Sequence, residues 1–167
     1  MKTHFMQYKA TLTTGAILLA ASLAAPVTSL ASESLFTVHH PAYQQECSSC
    51  HVAYPPQLLS AASWRAVMGG LDKHFGTDAS LDAKSRSGIL RFLEQHAGKR
   101  SMNSNGKPLL RITETRWFTH EHSGELPRDI WKHPAIKTSA NCQACHIAAD
   151  KGDYSERNIR LPKGVMK

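Results

Sequence analysis

The residues best suited to chemistry fall into two pentapeptides, Cys47-Ser48-Ser49-Cys50-His51 and Cys142-Gln143-Ala144-Cys145-His146. Each reads C-x-x-C-H, the pattern that attaches a c-type haem. Two thiols three residues apart sit on one side of a helical turn. There they can form thioether bonds to two vinyl groups on one edge of a porphyrin, and the following His reaches under the ring as the proximal iron ligand. The two motifs use all four cysteines of the chain. Paired zinc half-sites would explain the cysteines but not a His after each pair. Two short disulfides suit an exported chain, but such C-x-x-C pairs are usually catalytic, and no thioredoxin-like βαβ pattern surrounds these. The motifs therefore predict two covalently bound haem c groups, with His51 and His146 as proximal ligands.

A second ligand must come from elsewhere. The candidates are His39, His40, His74, His96, His120, His122 and His133, with Met68, Met102 and Met166. His74 ends an apolar stripe formed by Trp64, Val67, Met68 and Leu71 at helical spacing, so a helix folding back over the first haem would bring it to the iron. A His on such a stripe is as often a core residue. His96 is its rival on the next helix, and Met102 lies in a polar stretch that would exclude water poorly. His120 and His122 compete for the second haem. They point about 200° apart on a helix, and spacing leaves both open. His133 precedes Pro134 and reads as extended. His39 and His40 read as part of a leading segment.

Several elements must position these groups. Lys2 and Lys9, the apolar run Gly15–Ala25 and the small residues around Ser29-Leu30-Ala31 describe a secretion signal cleaved after Ala31. The run is too short to span a bilayer, and a periplasmic address agrees with the haem motif. The net charge of +7 suits acidic redox partners or peripheral contact with an anionic membrane. Without a basic aromatic array it does not suggest nucleic acid. Residues 32–98 form the first expected haem domain, 99–108 a linker, and 109–167 the second. The first half predicts three helices: about Tyr43 through His51, one from Ser60 or Ser63 closed by Gly76, and one from Asp78 or Ser80 to about Ala97 with Gly98 as its left-handed stop. In the second half Thr113 is the expected cap of a helix bearing Trp117, Phe118, His120 and His122. Residues 125–138 read as an extended connection with room for one turn, and Ser139 as the cap of a helix entering the second motif.

With these residues in view, the chain resembles the small bacterial periplasmic diheme cytochromes c. The likeness rests on Glu46-Cys47-x-x-Cys50-His51, Ala53-Tyr54-Pro55-Pro56, Leu58-Leu59, Ser63-Trp64 and His74-Phe75-Gly76. In the second half it rests on Ile112-Thr113, Trp117-Phe118, His122, Asn141-Cys142-x-x-Cys145-His146, Ala149 and Gly152. It implies a mainly α fold, with a first domain similar to a class I cytochrome c and a second that is irregular with short helices. It implies bis-histidine ligation, His51 with His74 and His146 with His122; such ligation lacks the thioether that raises Met/His potentials, so low potentials are expected. It also implies single-electron relay between a membrane cytochrome b and a soluble haem partner, without enzymatic activity. The alternative expectation is a haem enzyme or diatomic-gas sensor with one open or labile axial position.

Overall fold

The structure, a computed structural model, describes residues 36, 39–99, 105–124, 126–127 and 129–165. The expected secretion signal, most of the expected linker, and the candidates Met102 and Met166 lie outside the described residues. Residues Ser32–Lys167 form one compact unit.

Helix α1 spans Pro41–Cys47. His40 caps it, its Nδ1 accepting from the Tyr43 N–H at 3.1 Å. The helix stops at Cys47 instead of running to His51. Two serines follow, and serine side chains compete with the helix for backbone partners. Ser49 Oγ donates to Glu46 O at 3.1 Å, and Cys50 and His51 leave the helix in a turn. After a 3-10 turn at Pro56–Leu58, helix α2 runs over Ala61–Gly69, capped by Ser60. The expected extension to Gly76 is wrong. Gly69-Gly70 ends α2, consistent with the poor helix propensity of glycine, and the chain turns through Leu71–Lys73. Phe75 (φ +50) and Gly76 (φ +98) are then left-handed.

Helix α3 covers Ala83–Gln95. Its cap is Asp82, which accepts from the Lys84 and Ser85 N–H groups, not Asp78 or Ser80. Asp78 instead holds its own turn by accepting from Ser80 N–H. Gly98 is not a left-handed stop either. It donates its N–H to Leu59 O at 2.8 Å, and a side chain there would collide with the Gln57 carbonyl. Close approach, not φ, requires this glycine. Helices α2 and α3 pack on each other around Leu59, Ile89 and Leu93, with Tyr43, Trp64, Met68 and Phe92 completing the core. Trp64 Nε1 donates to Pro56 O at 2.7 Å.

The second half is less regular. A 3-10 turn at Ile112–Glu114 leads into α4, Arg116–Glu121. Its cap is Thr115, two residues beyond the expected Thr113. The Thr115 Oγ1 accepts from Phe118 N–H at 3.1 Å and donates to Ile112 O at 2.7 Å. No helix enters the second motif from Ser139. Asn141 turns the chain instead, its side chain donating to Ile136 O, and Cys142–Ala144 forms one 3-10 turn. The tail folds back along the motif: Ile147 N–H donates to Asn158 O and Arg160 N–H to Cys145 O. Among the described residues there are isolated β-bridges but no strand, so the fold is mainly α. No described helix is long and apolar enough to cross a membrane.

Candidate functional site

Each motif brings its histidine opposite a second one. The His51 and His74 rings face each other with centroids 6.2 Å apart and planes 28° apart. The His122 and His146 rings stand 6.1 Å apart, with planes at 75°. A metal–imidazole bond is about 2.0 Å, and the ring nitrogen lies roughly 1.1 Å from its centroid, so two imidazoles on one metal have centroids about 6.2 Å apart. Both pairs have that spacing.

The nitrogen chemistry agrees with it. His51 Nδ1 lies 2.7 Å from Val52 O, and His122 Nδ1 lies 2.9 Å from Phe118 O. A carbonyl only accepts, so Nδ1 carries the proton in each ring and Nε2 keeps its lone pair for a metal. Burial, then the facing His51 and the Arg111 guanidinium, lower the His74 pKa. Burial, then His122, lower that of His146, with Asp153 opposing. These effects favour the neutral, ligating imidazole. Burial raises the Cys47 and Cys142 thiols to about 11 in the absence of a bound group. None of the four cysteines is in a disulfide.

Space for a bound group borders the first pair. A cavity of about 540 Å³ opens beside Cys47, Cys50, His51 and His74, within the range of pockets for small molecules and cofactors. Its apolar wall includes Leu59, Trp64, Val67, Met68, Leu71 and Leu93. Met68 is part of this wall and of the core. A haem, which supplies a reversible one-electron iron centre, suits this combination of thiols, facing imidazoles and apolar wall.

The comparisons decide the family. The family model described as dihaem cytochrome c matches residues 43–154. The chain belongs to the dihaem cytochrome c family. As a member it carries two c-type haems, and its four cysteines stand in the two attachment motifs. A diheme cytochrome c from Rhodobacter sphaeroides is 37% identical, with a TM-score of 0.64, covering 71% of this chain and 99% of that one. A second structure, of DHC purified from Rhodobacter sphaeroides, is 42% identical, with a TM-score of 0.61 and the same coverage. A diheme cytochrome from Shewanella baltica is 36% identical, with a TM-score of 0.64, covering 74% of this chain and 93% of that one. No curated protein matches the chain.

The other candidate residues of this cytochrome fall elsewhere. His120 is exposed on α4. His96 is exposed at the end of α3, its Nδ1 at Phe92 O. His40 is the α1 cap and its ring packs on Phe92. His133 Nδ1 accepts from Ala135 N–H, and His39 is exposed. The structure also adds an aromatic frame that periodicity did not single out. Tyr54 stacks on His51 at 4.6 Å and Phe118 on His122 at 4.1 Å. Trp131 and Tyr154 flank His122 and His146. The one sequence signal for this frame was the i, i+4 spacing of Phe118 and His122.

Proposed function

We propose that this dihaem cytochrome carries single electrons through two six-coordinate haems, the first held by His51 and His74 and the second by His146 and His122. The observation that carries the reading is the spacing of the two facing histidine pairs, 6.2 and 6.1 Å. Cys47 and Cys50 anchor the first haem, and Cys142 and Cys145 the second. Each proximal histidine is fixed by the motif that precedes it. His122 is held by the Phe118 carbonyl and ring, while His74 sits in the left-handed turn after α2.

Two nitrogen ligands lack the thioether sulfur that raises the potential of Met/His haems, so both potentials are low. Full axial coordination leaves no open position for a substrate, and the protein is an electron carrier rather than an enzyme. The basic composition, +7 for the whole chain and +5 once Lys2 and Lys9 are removed with the signal (18 Lys and Arg against 13 Asp and Glu), favours acidic redox partners through long-range steering. The partners are a membrane cytochrome b on one side and a soluble haem protein on the other, met in the periplasm after cleavage near Ala31.

The test is the visible spectrum of the purified holoprotein, with a haem count. The expected result is two covalent haems, both low-spin, without the weak long-wavelength band of a methionine–iron bond and unchanged when carbon monoxide is added after reduction. A high-spin component or a carbon monoxide shift would show an open axial position and remove the relay reading.

A further inference from the structure

Tyr54 touches both motif-bearing halves. Its ring lies on the His51 imidazole, centroids 4.6 Å and planes 20° apart. Its hydroxyl donates to Ala140 O at 2.7 Å, across 86 residues of sequence. Ala140 lies two residues before Cys142. Tyr54 is held in turn from α1, because Tyr43 Oη donates to Tyr54 O at 2.7 Å, and Tyr43 is buried in the core. The two prolines that follow restrict its backbone.

We propose that Tyr54 is the positioning residue that links the two haem centres, its ring backing the proximal imidazole of the first and its hydroxyl setting the attachment turn of the second. The inference rests on the ligand reading above for His51 and on Cys142 as an attachment cysteine. Each link is short and stiff: an aromatic stack, one hydrogen bond, and the peptide units from Ala140 to Cys142. A backbone tie that also crosses between the halves, Phe36 N–H to Gly152 O at 2.8 Å, starts from the leading segment and does not involve His51. A residue that merely filled space at position 54 would need neither a ring parallel to the ligand nor a hydroxyl aimed at the second motif.

The test uses the full holoprotein and two variants. Tyr54→Phe keeps the ring and removes the hydrogen bond. Tyr54→Leu removes both. The readout is electron exchange between the haems in half-reduced protein, one iron oxidised as the other is reduced, followed by magnetisation-exchange NMR. Low-spin spectra and haem counts are recorded alongside. The expected result is slower exchange in Tyr54→Phe and a further loss, to about tenfold or more below the parent, in Tyr54→Leu, the factor given by about 1.4 kcal/mol of added barrier. Both variants keep two low-spin haems. Parent-like exchange in both variants overturns the link. So does slowing that appears only together with lost haem or an altered spin state, because that is a folding effect. A parent protein that is itself not low-spin at both haems refutes the ligand reading instead, so the two failures are separable.

Discussion

Phe118 offers a direct test of how His122, the proposed distal ligand of the second haem, is held. The ring is 8% exposed, stacks on His122 with planes 21° apart, and meets Trp131 at 5.8 Å. Its carbonyl accepts from His122 Nδ1–H. Replacing a buried Phe by Ala costs about 3–5 kcal/mol through lost transfer and the cavity left behind. About 1 kcal/mol of that belongs to the aromatic contact itself. In a chain of this size each kcal/mol lowers Tm by about 3 °C, so Phe118→Ala is expected to melt about 10–15 °C below the parent. The backbone hydrogen bond to His122 survives the substitution, but the ring that pins the imidazole does not. Carbon monoxide is therefore expected to bind one of the two reduced haems in the variant and neither in the parent. Trp117→Ala is the control. Its ring is 39% exposed, and substitutions at such surface positions stay within about 0.5 kcal/mol. Calorimetry and a carbon monoxide difference spectrum read both effects. A Phe118→Ala protein that melts within about 2 °C of the parent and binds no carbon monoxide would refute the reasoning.

Three further substitutions test other joints. Thr115→Ala removes the α4 cap and is expected to cost about 1 kcal/mol in urea unfolding, with parent-like loss only if another group caps Phe118 N–H. Gly152→Ala puts a side chain at φ +75 against the Phe36 carbonyl. It is expected to destabilise by more than about 1 kcal/mol, and an unchanged denaturation midpoint would remove the claimed close approach. His120→Ala is expected to leave both haem spectra intact, since His120 is exposed, whereas His122→Ala opens one iron to carbon monoxide. The reverse pattern would exchange their roles.

The legible part of this protein is the part that its chemistry makes contiguous. Two thioethers and a proximal ligand on one porphyrin edge require Cys, Cys and His within five residues, so the motifs, two haems and family could be read directly. The helical stripes Trp64–Met68 and Ile89–Leu93 likewise marked the buried faces of α2 and α3. The histidines proposed as distal ligands were not fixed by spacing, because which His comes to face a motif histidine depends on turns such as the left-handed Phe75-Gly76 pair. That pair is where the expected end of α2 proved wrong. Caps were misplaced by two to four residues for a similar reason: Asp78 and Thr113 are competent caps by type, but backbone partners select Asp82 and Thr115. The helix expected before the second motif gave way to a turn because Asn141 bonds back to Ile136. Tyr54, Trp131 and Tyr154 follow no helical period, and only packing shows that they flank the histidines.

Low-temperature electron paramagnetic resonance of the oxidised protein tests the central claim most directly. Two imidazoles on one iron split its dπ orbitals when their planes are parallel and leave them nearly degenerate when the planes cross. The first pair is 28° from parallel and the second 75°. Bis-histidine ligation at these ring angles predicts two ferric low-spin signals of equal weight, one ordinary rhombic signal and one strongly anisotropic signal. A high-spin signal, or a sample with only one low-spin haem, would contradict bis-histidine ligation by His51 with His74 and His146 with His122.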